Sequence, residues 1–172
     1  SLGDTLAFIP QADKFRKEKN VKLICSTFHN DLFKEQYPDI EFVNPGTSVE
    51  NLYCLYRLGV FYNGNGMDRQ INYEFHKHDP RPIPLMKIAS DILGMDYEEV
   101  KPVLKTYSTK KKKQVSIAVH STAQCKYWNN PKGWQDVVDY LKSKNYEVIL
   151  LSREEDGYMG NPNPKGVKQH PV

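Results

Sequence analysis

The stretch from Gln114 to Ser152 narrows the fold more than any other part of the chain. Its first piece, "QVSIAVHS" (114–121), reads as a strand; "KGWQDVVDYLKSKN" (132–145) reads as a helix, and "YEVILLS" (146–152) as a second buried strand. Trp134, Val137, Val138 and Leu141 stand at i, i+3, i+4 and i+7, which gives the helix one apolar face. Asn145 is a fitting stop before the second strand. Strands alternating with helices imply a mostly parallel α/β sheet with right-handed crossovers.

The first half alternates in a similar way. In "GDTLAFIPQADKFRKEKN", Leu6, Ile9, Ala12 and Phe15 lie three apart, with Asp4 at the amino end and basic residues at the other. Pro10 predicts a kink or a late helix start. Residues 21–28 read as a buried strand, 29–38 as a short helix capped by Asn30 or Asp31 and stopped by Pro38, and 40–46 as a second strand with a turn. Between 47 and 82 the pattern weakens; "NLYCLYRLGVFYNGNG" reads as a strand and a glycine-rich turn or as loop. Leu85, Ile88, Ala89 and Ile92 then mark a helix ending at Gly94. The polar segment 105–114 holds four consecutive lysines and reads as a linker or as a phosphate- or membrane-seeking patch. It separates a unit spanning residues 1–108 from one spanning 109–172. The tail from Arg153 carries no further predicted element.

Charge and cysteine usage exclude some partners. A net charge of +3 is far from the strongly basic balance of a nucleic-acid binder, yet compatible with a local phosphate site. The three cysteines, Cys25, Cys54 and Cys125, form no C-x-x-C pair, so neither a zinc ribbon nor a disulfide framework is indicated. Cys25, inside an apolar strand, reads as a core residue. No signal peptide is evident, and no apolar run approaches the roughly 18 residues of a membrane span. A reduced, cytoplasmic compartment is expected.

Open α/β sheets bind ligands outside the carboxyl ends of their strands. Two segments fall there: Gly3–Asp4, and the loop from His120 to Lys132, which carries Lys126 and Trp128 with Trp134 just beyond. Lys126, with the hydroxyls of Ser121 and Thr122, suits a phosphate near a helix start; the alternative is a solvated lysine. Trp128 suits a wall against a base or sugar, or packing under the helix. Asp4 reads either as a helix N-cap or as a general base for an attacking hydroxyl. His76 and His78, with Asp79, read as solvated loop residues or as metal ligands. Glu154–Glu155, after the last predicted strand, read as a polar strand exit in a position that would face a nucleotide.

The opening "SLGDTLAFIP" resembles the S-x-G-D-x-x-x-x-x-P segment of heptosyltransferases, the family 9 glycosyltransferases of GT-B architecture. The segment "HSTAQCKYWNNPKGW" (120–134) is similar to the start of their second domain, in particular the T-A-Q-x-K-Y-W-N pattern of the autotransporter heptosyltransferase branch. Residues 37–42 and "PRPIPLMKIASDILG" also suit the branch's first domain. The resemblance implies a GT-B-like protein of two Rossmann-like units: an acceptor-side unit (1–108) lacking its first strand, and the truncated start of a donor-binding unit (109–172). It implies transfer of heptose from an ADP-sugar donor to a hydroxyl of a protein or glycan, with serines of an autotransporter adhesin as the branch's acceptors. Asp4 would be the base, Lys126 would neutralise the donor's phosphates, and Gly3, Thr122 and Trp128 would contact substrate. The branch also holds an iron on a cysteine cluster. These three scattered cysteines cannot reproduce it, so no cofactor is expected in this chain. A chain that opens without methionine or a preceding strand is expected to be an internal piece of a transferase, with reduced or no activity alone. The alternatives are a non-catalytic nucleotide-, sugar- or protein-binding module, and a GT-B enzyme using another nucleotide-sugar. Nothing in the sequence speaks to oligomeric state.

Overall fold

The structure is a computed structural model and describes residues 1–105, 110–121, 124–155 and 157–170, with the side chain of Gln124 left aside. The chain divides into two compact units, Ser1–Tyr107 and Ser108–Val172. Each has its own core.

In the first unit, α1 (Leu2–Lys19) opens with a capping box between Ser1 and Asp4 and closes on Asn20 in the left-handed region, φ 51°. Its charges follow the helix dipole, with Asp4 in the first turn and Arg16, Lys17 and Lys19 in the last. Contrary to expectation, the helix runs through Pro10 without starting late. A proline inside a helix forfeits one main-chain hydrogen bond. Here residues 9 to 13 are all buried, so packing around the whole helix circumference outweighs that loss. The strands β1 (Leu23–Ser26) and β2 (Ile40–Val43) pair in parallel, Leu23 opposite Ile40. Between them the expected helix shrinks to a 3-10 turn, Asn30–Leu32. After it, Phe33 and Tyr37 both drop into the core with Ile9 and Ile40.

Residues 50–60 form no strand; a short antiparallel hairpin, β3 (Tyr62–Asn63) with β4 (Gln70–Ile71), follows instead. α2 (Leu85–Leu93) ends at Gly94 with φ 66°, the conformation that glycine adopts without steric cost. It is fastened to α1 by a polar latch. Gln11, fully buried, accepts from Ser90 Oγ at 2.9 Å and donates to the Glu98 carbonyl at 2.8 Å. The Tyr37 hydroxyl accepts from the Val103 amide at 2.9 Å.

The second unit is a three-stranded parallel sheet in the order β5 (Gln114–Ile117), β6 (Glu147–Leu151), β7 (Lys168–His170), with α3 (Gly133–Ser143) between the first two strands. Ile117 faces Leu150 in register, and both join Val119, Val138 and Val148 in the core, with Trp134, Leu141 and Val167 packed against it. β7 corrects the expectation of an element-free tail. Lys168, Gln169 and His170 have no apolar pattern; main-chain pairing to β6 and the adjacent Val167 hold the strand. Lys110–Lys113 are exposed. Among the described residues, no helix is long and apolar enough to cross a membrane.

Candidate functional site

In the first unit, Asp4 is not the helix cap but the third residue of the helix. Ser1 caps, and Asp4 Oδ2 accepts from Ser1 Oγ at 2.8 Å and from the Ser1 nitrogen at 2.9 Å. The Ser1 amino group first, and then its hydroxyl, hold the Asp4 carboxyl below the usual carboxylate range, against a smaller upward push from partial burial. The group is therefore an anion at neutral pH, half exposed, at the start of α1. Thr5 Oγ1 lies 3.4 Å from Thr27 Oγ1, just past β1, so the helix start sits by the carboxyl end of that strand. Gly3 is exposed, and a Cβ there would meet only Ser1 Oγ, at 3.8 Å. Packing within the unit does not require that glycine.

The histidines diverge. His76 Nε2 accepts from the Phe61 amide at 3.0 Å, His78 Nδ1 bonds Asp91 Oδ2 at 2.7 Å, and Asp79 pairs with Arg81. No group of three or more His, Cys, Asp or Glu side chains that could hold a metal ion occurs among the described residues. Cys25 lies in β1, half buried, whereas Cys54 and Cys125 are exposed; all three are free thiols.

In the second unit, the loop after β5 carries the other candidates. Lys126 ends a 3-10 turn (Gln124–Lys126) and is exposed. Thr122 lies outside the described residues. Trp128 is 50% exposed and meets Trp134 edge-on, with ring centroids 5.5 Å apart and planes at 83°. Its indole lies over the first residue of α3: a Cβ on Gly133 would fall 2.6–2.8 Å from three ring carbons. Trp128 thus leans on the helix start while keeping one face in solvent, and Trp134 anchors α3 to the core. The packing reading holds for Trp134 and for one face of Trp128.

A cavity of about 390 Å³ opens beside this loop, lined by Cys125, Tyr127, Asn129, Met159 and Asn161. Two polar atoms buried nearby, Tyr127 Oη and His120 Nδ1, have no hydrogen-bond partner among the described residues. Neither Asn161 nor Tyr127 was singled out from sequence. The Asn-Pro-Asn-Pro run at 161–164 was the one available hint, and it reads equally well as plain turn chemistry.

No protein-family model matches the chain. The autotransporter heptosyltransferase Aah of Escherichia coli is 35% identical over 179 residues, covering 98% of this chain and 43% of Aah. A crystal structure of the bacterial iron-containing dodecameric glycosyltransferase TibC, from enterotoxigenic E. coli H10407, superposes with a TM-score of 0.81 at 30% identity. That match takes in 99% of this chain and 45% of the TibC chain. This chain is a relative of the autotransporter heptosyltransferases. It spans less than half the length of the curated relatives it matches. A second TibC structure, in complex with ADP-D-beta-D-heptose, matches with a TM-score of 0.78. The likeness also extends to BimC of Burkholderia thailandensis, named an inactive autotransporter heptosyltransferase, at 29% identity over 87% of this chain and 36% of BimC. The fold class is α/β of the GT-B type, as the resemblance to heptosyltransferases implies. TibC is described as iron-containing. The described residues here offer no donor set that would hold iron, so no step of the chemistry is routed through it.

Proposed function

We propose that this chain serves the transfer of a heptose from ADP-heptose to a hydroxyl acceptor, the acceptor being a serine of an autotransporter adhesin modified in the cytoplasm. The observation that carries the reading is the match of 99% of this chain to 45% of TibC, a protein whose structure in complex with ADP-D-beta-D-heptose is known. Residues 1–108 are assigned to the acceptor side and 109–172 to the donor side. In the reaction the acceptor oxygen attacks the anomeric carbon, the bond from that carbon to the diphosphate breaks, and ADP departs. Asp4, an anion at neutral pH, takes the acceptor proton. Lys126 offers an exposed ammonium to the departing diphosphate, and the Thr122 hydroxyl adds a donor. Trp128 presents its exposed face to the nucleotide or sugar, and Gly3 leaves open space beside Asp4.

The test has two arms. ADP binding to this chain, followed by tryptophan emission, should weaken at least tenfold in Lys126→Ala; unchanged affinity removes that residue's role. Transfer to a serine peptide, followed by mass spectrometry on a chain that turns over, should be lost in Asp4→Asn with ADP binding retained. The inactive relative supports a second reading, a binding module without catalysis. Tight ADP binding with no transfer by the full-length protein would favour it. A panel of ADP-, UDP- and GDP-sugars separates both from a transferase of other donor preference.

A further inference from the structure

Besides the ring contact of His120 with Tyr158, centroids 6.1 Å apart, the loops leaving β5 and β6 are joined by the side chain of Asn163. Its Nδ2 donates to the carbonyls of Glu154 at 2.9 Å and Glu155 at 2.8 Å, while its Oδ1 lies 2.7 Å from His120 Nε2. Because Nδ2 is committed to carbonyls, Oδ1 is the acceptor toward His120, and His120 carries its proton on Nε2. His120 in turn contacts the ring of Tyr127, with centroids 6.2 Å apart, and Tyr127 directly follows Lys126. On the other side, Gln169 Nε2 donates to the Ser152 carbonyl at 3.1 Å and the Glu154 carbonyl at 2.9 Å, and the Glu154 amide donates to Ser152 Oγ at 3.1 Å. Beyond the Ser152 amide, which still donates to the His170 carbonyl at 3.3 Å, the exit of β6 is held by side chains. A loop with no use for fixed geometry would leave these carbonyls to water.

We propose that Asn163 is a positioning residue of the donor half-site, holding the Glu154–Glu155 exit of β6 against His120, and through it Tyr127, beyond β5 so that both sides face one nucleoside diphosphate. The inference rests on the donor reading above. Its physical basis is that neighbouring parallel strands release their loops at the same sheet edge, where α/β folds bind nucleotides. Two loops there recognise one ligand only if their spacing is fixed, and Asn163 hydrogen-bonds to both.

The experiment is ADP titration, by calorimetry, of this chain and of five variants. Asn163→Ala and Asn163→Asp should each weaken ADP binding at least fivefold while the far-ultraviolet spectrum of the folded chain is kept. The aspartate variant can still accept from His120 but cannot donate to the two carbonyls. His120→Leu should match that loss. His120→Gln should recover most of the affinity, because a glutamine Nε2 can donate to Asn163 Oδ1 in place of the imidazole. Should Asn163→Ala fail to fold, the contrast between His120→Leu and His120→Gln carries the same information. Wild-type affinity in the Asn163 and His120 variants, with loss in Lys126→Ala, overturns this inference and leaves the donor reading in place. Wild-type affinity in Lys126→Ala, or no ADP binding by the parent chain, overturns the donor reading and this inference with it.

Discussion

Replacing Gly133 with Ala tests whether the start of α3 is kept open for Trp128. The added Cβ would lie 2.6 Å from the nearest ring carbon and 2.8 Å from two more, where ordinary carbon contacts are about 3.5–4.0 Å. The ring must withdraw by about 1 Å or swing into solvent. Withdrawal breaks its edge contact with Trp134, worth about 0.5–1.5 kcal/mol. A full swing also exposes the covered half of the side chain, of order 100 Å², for an upper limit of about 2–3 kcal/mol. Against this, alanine favours a helix over glycine by at most ~1 kcal/mol. The expected net effect is a destabilisation of about 1–2 kcal/mol. The chain's two tryptophans are this very pair, so tryptophan emission during urea unfolding reports on the second unit alone. The variant should show a lower urea midpoint, a changed aromatic circular-dichroism band and weaker ADP binding. An unchanged band with equal or greater stability would refute the assignment of Gly133 as the seat of Trp128.

Two further predictions concern titratable groups in the first unit and the reactivity of its buried thiol. Burial, helped by the nearby Asp13 carboxylate, pushes the Cys25 thiol up to about 12, while Cys54 and Cys125 are exposed. A disulfide reagent at pH 8 should therefore label two thiols quickly and the third much more slowly; three fast equivalents would contradict the partial burial of Cys25 and its raised pKa. Burial pushes the Asp91 carboxyl up, but hydrogen bonds from His78 at 2.7 Å and Lys87 at 3.1 Å outweigh it, so the carboxyl stays below its ordinary value. A depressed folded-state pKa adds stability above the unfolded value, and that stability is lost as pH falls through the folded one. Asp91→Asn should cost about 1–3 kcal/mol at neutral pH and converge with the parent as pH drops below about 4. Urea midpoints that run parallel across that range would rule the linkage out.

The second unit was legible because its signals are local. Trp134, Val138 and Leu141 repeat at the helical period, Val148 and Leu150 alternate into the core, and no distant residue is needed to see either pattern. β7 was not legible: Lys168–His170 is a strand by main-chain pairing with β6, which leaves no mark on residue type. The same holds for residues 9 to 13 of α1, where surrounding burial rather than propensity carries the helix past Pro10. For the site, Lys126 and Trp128 stood out because such side chains are unusual in a short connection. Asn163 did not, since an asparagine between prolines is ordinary turn chemistry until its three partners are seen.

The latch between Gln11, Ser90 and Glu98 bears on the order in which the chain acquires its shape. Its bonds close intervals of 79 and 87 residues, and the bond from Val103 to Tyr37 closes 66. Closing such long intervals is what slows folding. During synthesis α1 emerges well before α2, and the amide of Gln11 gains its two partners only once residues 90 and 98 have been made. This helix is thus secured late, and the time it waits is a window in which Ile9, Ala12 and Phe15 face water and other chains.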